Sequence, residues 1–308
     1  MTDLLARSTR FIDNGTIDGD FNPTTLALNV LGDRVAMVDA FSHVVLFDSG
    51  DGLVAFDTSN PFAGEAAVRA ARQWRSDRFH SLVYTHGHVD HVGGARAFLD
   101  SARSDGHPKP AVVAHAAVPR RFRRYDLTSG YNAVINARQF GGSALEGGEG
   151  GLRVGRFGVN WVEPSTTYDD RMGLRIGDLH FELHHGIGET DDHTWAWIPE
   201  LRAACVGDFV LWMFPNAGNP QKVQRYPREW AQVLREIIAR EPELLLPAHG
   251  LPIEGRARIA GFLDDYASAL EFLVTETLDL MNQGARLDDI VQMVRLPDEL
   301  ATKPWLAP

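Results

Sequence analysis

The chain of 308 residues has one cysteine, Cys205, which excludes an internal disulfide. It sits in the apolar run Ala203-Ala204-Cys205-Val206 and reads as core. No apolar stretch reaches the ~20 residues that span a bilayer. Residues 1–20 carry acids and no apolar segment of the kind found in a secretory leader, so a cytoplasmic protein with no membrane partner is expected. Excess positive charge is also lacking. A formal net charge of -11 and a pI near 5.5 argue against a nucleic-acid or anionic-membrane surface, both of which need clustered positive potential. No internal repeat or long low-complexity tract interrupts the chain.

What is present suffices for a full core: 44% of residues are hydrophobic, enough for one large domain or one domain with an appendage. The apolar runs Val44-Val45-Leu46-Phe47 and Leu53-Val54-Ala55-Phe56, separated by Asp48-Ser49-Gly50-Asp51-Gly52, predict a hairpin. Residues 64–75 have helical spacing and residues 80–85 return to strand. Further strands are expected at 111–114, 158–163, 171–183, 193–198, 203–207 and 243–247. Helices are expected near 92–102, 226–240, 256–283 and 286–295. The basic run Arg120-Arg121-Phe122-Arg123-Arg124 reads either as a solvated helix face or as a local attraction for an anionic substrate. The glycine-rich stretch at 141–151 could hinge a lid, and Asn132 and Asn136, at helical i, i+4 spacing just before it, could carry amide donors on that lid.

The chemistry concentrates in Thr85-His86-Gly87-His88-Val89-Asp90-His91, three histidines and a carboxylate directly after an apolar run. Imidazole and carboxylate are the usual nitrogen and oxygen ligands of zinc, held at roughly 2.0–2.2 Å. Alternation along an extended backbone puts His86 and His88 on one side, whereas Asp90 and His91 lie past the bend and point elsewhere. One loop could thus serve two neighbouring ions.

In this His-x-His-x-Asp-His motif the chain resembles the metallo-β-lactamase superfamily. The resemblance covers roughly residues 42–255 and implies an α/β fold, the αββα sandwich, with metals at one edge between two sheets. It implies later ligand stations as well. Asp208, after Ala203–Gly207, corresponds to the aspartate that bridges two metals, and His249, after Leu244–Ala248, completes the second metal with Asp90 and His91. Many relatives carry Gly-His-(Ser/Thr) at the remaining station, where this chain reads Gly188-Glu189-Thr190-Asp191-Asp192-His193. Glu189 takes the histidine's place, with His185 and His193 as competing ligands; Asp192 and His193 are otherwise expected to orient ligands or touch substrate. Carboxylates also suit manganese or iron.

A carboxylate at that station is similar to the type III alkylsulfatases, and residues 280–297 look like the helix-turn-helix that follows their catalytic domain and leads to dimerisation. On this resemblance a catalytic domain at 1–255 precedes a helical extension at 256–308, a homodimer through those helices is possible, and the alkylsulfatases' lipid-transfer-like C-terminal domain is not expected. The implied activity is that of a binuclear metal-dependent hydrolase of a small ester-like substrate, first an alkyl sulfate ester, then a lactone or thioester. Its two Zn2+ (Mn2+ or Fe possible) would lower the pKa of a shared water from ~15.7 towards about 7, giving a bridging hydroxide. Asp90 and Asp208 are the expected catalytic carboxylates, orienting that water and taking its proton. Asn216, Lys222, Arg225 and Tyr226 are expected to grip the substrate at the mouth. An iron-dependent dioxygenase of the same fold is the non-hydrolytic alternative. Cations near the mouth would favour a sulfate ester, whereas a lactone needs mainly an apolar pocket.

Overall fold

The computed structural model describes residues 3–140, 145–148, 151–154, 160–218 and 222–307. In chain order, helix α1 (Leu4–Asn14) precedes strands β1 (Leu28–Gly32), β2 (Val35–Val38), β3 (Val44–Asp48) and β4 (Leu53–Phe56). Helix α2 (Gly64–Trp74) leads to β5 (Phe79–Val83), the short α3 (Val89–Val92), α4 (Ala95–Ser104) and β6 (Ala111–His115). Helices α5 (Val118–Leu127) and α6 (Ser129–Phe140) come next, then a separate hairpin of β7 (Leu145–Gly148) and β8 (Gly151–Val154). The second half runs through β9 (Thr166–Tyr168), β10 (Arg171–Ile176), β11 (Leu179–Gly186), β12 (His193–Ile198) and β13 (Ala203–Gly207). Helix α7 (Pro227–Ala239), β14 (Leu244–Pro247) and β15 (Ile253–Glu254) follow, then helices α8 (Arg256–Asn282), α9 (Leu287–Met293) and α10 (Asp298–Ala301) and a last 3-10 turn, Pro304–Leu306.

The strands form a seven-stranded sheet, β1-β2-β3-β4-β5-β6-β9, and a six-stranded sheet, β10-β11-β12-β13-β14-β15. Strands β2, β3 and β4 are apolar without alternation because both faces of the first sheet are covered. One face packs on α2, α4 and α5 through Leu46, Leu82, Phe98 and Phe122. The other meets the second sheet, where Phe47 and Phe56 stand edge-on and tilted against Phe181 at 5.6 and 6.0 Å. Burying each such phenyl contributes about 1.5–3 kcal/mol. Helices α7 and α8 cover the second sheet's outer face, so the layers are helix, sheet, sheet, helix. Ile259 through Leu270 of α8 belong to the same core, and Trp305 and Leu306 return to it. Farther along, Leu278, Met281, Leu287, Val291 and Met293 are exposed. Among the described residues no helix is long and apolar enough to cross a membrane.

Two expected strands are corrected. Residues 160–164 are irregular and the strand begins at Thr166, where it pairs with β6; residues 155–159 lie outside the described residues. The run 171–183 is a hairpin, β10 and β11, because Gly177 turns the chain at φ +54. Asn132 and Asn136 do form part of a helix, α6, but their amides donate to Thr128 O at 3.0 Å and to Asn132 O at 2.8 Å, so they cap their own turns. The proposed glycine hinge falls partly on residues 141–144 and 149–150, outside the described residues.

The site's position follows from this topology. Strands β4 and β5 are parallel, as are β13 and β14. Their C-terminal ends therefore open at the same edge of the sandwich, which is stitched there by Thr194 N–H to Thr85 O at 2.6 Å and His43 N–H to Ala248 O at 2.7 Å.

Candidate metal centre

At that edge the loops after β5, β11, β13 and β14 bring seven side chains together. His86, His88, Glu189 and Asp208 form one group with their ligand atoms within 4.8 Å of one another, and Asp90, His91 and His249 form a second. Asp208 lies between them. Its Oδ2 is 3.7 Å from His86 Nε2, and its Oδ1 is 3.4 Å from His91 Nε2 and 3.5 Å from His249 Nε2. Glu189 Oε2 faces His86 Nε2 at 3.9 Å and His88 Nδ1 at 3.7 Å; Asp90 Oδ2 faces His249 Nε2 at 3.3 Å. Ligands held at about 2.0–2.2 Å around a tetrahedral ion sit roughly 3.3–3.6 Å apart, close to these spacings.

The polar accounting points the same way. His91 Nε2, Glu189 Oε2 and Asp208 Oδ1 are buried and, among the described residues, have no hydrogen-bond partner. Buried polar atoms are rarely left so, and an ion in this space satisfies all three. Charge agrees: burial disfavours a protonated His91, but Asp208, Asp90 and Asp57 outweigh it and push its pKa well up. For Asp208, burial opposes ionisation while His91 and His249 hold its carboxyl down at about 2. Three buried or half-buried carboxylates set among four imidazoles make a cavity that seeks cations, and the residues present fit a metal centre.

Around the ligand candidates lies a layer that fixes them. Asp57, in the left-handed region at φ +58, accepts from Thr85 N–H and Thr85 Oγ1, both at 2.7 Å, and meets His91 Nδ1 at 2.7 Å. That leaves His91 Nε2 facing inward. Glu189 is clamped by Arg225, whose Nη1 contacts Glu189 Oε1 and donates to Glu189 O at 2.7 Å. Asp192 Oδ2 accepts from Gly87 N–H at 3.0 Å and from Arg121 Nε at 2.8 Å, tying the loop between His86 and His88 to α5. His193 Nε2 accepts from Asp208 N–H at 3.2 Å. Gly207, at φ +52, makes that contact possible, since a Cβ there would stand 2.5 Å from His193 Nε2.

Of the residues competing at the third station, Glu189 is in the cluster. His193 spends its inner nitrogen on Asp208, and His185 stacks on His115 at 3.7 Å with its Nε2 3.0 Å from Asp191 O. The substrate candidates divide. Lys222 lies by Asp90, and burial lowers its pKa against the pull of that carboxylate. Tyr226 lines a cavity of about 280 Å³ with Arg120, Arg121 and Arg124. Arg225, expected at the mouth, is instead buried on Glu189, and Asn216 lines another cavity of about 750 Å³, against α8. The arginine run is likewise more than a solvated face: Arg121 is buried between Asp191 and Asp192. Sequence reasoning missed Asp57 and Arg121. The signal for the first was a polar turn, Asp57-Thr58-Ser59-Asn60, ending a buried strand; nothing local marked which of the arginines turned inward.

Comparison with known proteins places this geometry. The chain is 22% identical over 265 residues to a linear primary-alkylsulfatase of a Pseudomonas strain, covering 83% of this chain and 50% of that protein. To an (R)-specific secondary-alkylsulfatase of Pseudomonas sp. it is 24% identical over 284 residues, covering 86% and 42%. The solved structure of the stereoselective inverting sec-alkylsulfatase Pisa1 from Pseudomonas sp. superimposes with a TM-score of 0.76 at 22% identity, over 92% of this chain and 47% of that one. The chain thus spans about half the length of the curated relatives it matches. A family model described as the metallo-beta-lactamase superfamily matches residues 37–249, a span that takes in most of both sheets and all seven clustered side chains, and the chain belongs to that superfamily.

Proposed function

We propose that the chain is a binuclear metal-dependent hydrolase of a small ester-like substrate, with an alkyl sulfate ester as the first candidate. The observation that carries this reading is Asp208, which turns one oxygen to each of two ligand groups. A single-ion oxygenase would have no use for Asp90, His91 and His249 converging opposite the first group. On this reading His86, His88 and Glu189 would hold one ion and Asp90, His91 and His249 the other, with Asp208 available to both. Zinc suits the imidazoles, and the carboxylates also accept manganese or iron.

Bound divalent cations would supply Lewis acidity toward the ester and a lowered pKa for water. The chain's own groups do the rest. Asp90 and Asp208, held ionised, orient the attacking water and accept its proton. Lys222, beside Asp90, provides positive charge where the peripheral oxygens of a sulfate would lie, which supports a sulfate ester over a lactone. The similarity to alkylsulfatases supports the same choice.

The test is elemental analysis of protein purified without chelators, followed by assays of the wild type, Glu189→Ala and Asp208→Ala on chromogenic sulfate, lactone and carboxyl esters. Near two equivalents of zinc or manganese, with sulfate-ester turnover lost in both variants, is the expected result. One equivalent of iron and no hydrolysis would overturn it.

A further inference from the structure

Helix α5 turns Arg120, Arg121 and Arg124 into one cavity of about 280 Å³, closed on other sides by Asp191, Gln224 and Tyr226. The three guanidinium groups are not equivalent. Arg121 is buried and neutralised by Asp191 and Asp192. Arg120 and Arg124 have no carboxylate within 4.0 Å and no hydrogen-bond acceptor among the described residues. They stand at i and i+4, where like charges are neighbours and repel. A protein of net charge -11 has carboxylates in surplus, yet among the described residues none reaches this pair. Gln224 and Tyr226 bring an amide and a phenol to the same space.

The cavity adjoins the metal candidates on two sides. Arg121 reaches Gly87, between His86 and His88, through Asp192. Arg225, next in the chain to Gln224 and Tyr226, holds Glu189. A molecule whose reacting group faced the histidines could therefore extend its remote end to Arg120 and Arg124.

We infer that this cavity binds a second anionic group on the substrate, so that the preferred substrate is a dianion: an ester with a remote sulfonate, carboxylate or phosphate gripped by Arg120 and Arg124. The inference rests on the hydrolase reading and narrows its substrate class.

The probes are non-hydrolysable α,ω-alkanedisulfonates from ethane to hexane, each paired with the monosulfonate of equal length. Their dissociation constants are measured by titration calorimetry on the metal-loaded full chain. At the length that spans the two sites, the disulfonate should bind about tenfold tighter than its partner, as a second charge-assisted contact implies. In Arg120→Gln/Arg124→Gln that ratio should fall to near one, with Arg120→Gln alone, an exposed position, giving an intermediate ratio. The preference should also shrink as salt rises. Equal binding of both partners at every length, or a preference that survives in the double variant, would overturn the inference. So would inorganic sulfate binding at the arginines with no gain for any disulfonate, which assigns the cavity to a free anion. If no ester is hydrolysed while the arginine-dependent disulfonate preference stands, the cavity's assignment holds and the hydrolase reading falls.

Discussion

Single residues govern how well the centre is held. The Asp57 carboxylate fixes His91 through a 2.7 Å contact, so Asp57→Asn should lower metal affinity about 10–100-fold, read by competition against a chelator. Arg225→Gln should do the same at the other group by releasing Glu189; an unchanged affinity would show that the clamp is dispensable. His43 gives a pH prediction. It is fully buried, with Nε2 donating to Gly250 O at 2.8 Å and Nδ1 accepting from Ala40 N–H at 3.2 Å, which leaves no place for a second proton. Burial, reinforced by His249, brings its pKa down to about 3 from 6.5. The folded state thus binds fewer protons than the unfolded one between these values. Its contribution to stability is intact above pH ~6.5 and lost progressively toward pH ~3. Between pH 7.5 and 5.5 the metal-free protein should lose about 1.4 kcal/mol through this group, and His43→Asn should lack that increment in paired urea titrations.

Elements reach the site only because certain backbones touch. Gly94, at the start of α4, leaves no room for a side chain: a Cβ would stand 2.0 Å from Thr58 O and 2.8 Å from Gly64 Cα. Gly94→Ala should therefore push α4 from the loop after β4 and cost about 1–3 kcal/mol or more in urea unfolding. Gly207→Ala adds a left-handed strain of about 1–2 kcal/mol to its collision with His193, at the residue before Asp208. It should reduce bound metal as well as stability, whereas Gly94→Ala should act mainly on stability. Helix α5 shows how element and site are coupled, since its buried Arg121 braces the histidine loop while Arg120 and Arg124 line the adjoining cavity.

For the whole molecule, a cluster of four imidazoles and three carboxylates that holds metal would tie stability to it. Chelation should lower the thermal midpoint, since a ligand at ~100 times its dissociation constant stabilises by about 2.7 kcal/mol. Zinc, manganese and iron can be ranked by the midpoint each restores. The homodimer expected from the C-terminal helices would bury the exposed apolar side chains of α8 and α9. Light scattering should then show a dimer that Leu287→Asp/Val291→Asp converts to monomer; a wild-type monomer at the same concentration would discard it.

The sequence by itself determined the hairpin of β3 and β4, the strand before the histidines, the helices at 64–74 and 227–239, and the identity of the clustered side chains. Apolar runs and ligand chemistry are local properties, written in adjacent residues. What only the tertiary structure decided was pairing across distance. Asp208 is 122 positions from His86, yet its two oxygens face the two candidate groups because parallel strands in two sheets end at one edge. The gathering of Glu189, and not His185 or His193, into the cluster, the turning of Arg225 onto Glu189, and the inward turn of Arg121 rest likewise on contacts across the fold. In each case several side chains of the right chemistry lay close in sequence, and burial selected the one that the packed backbone aimed inward.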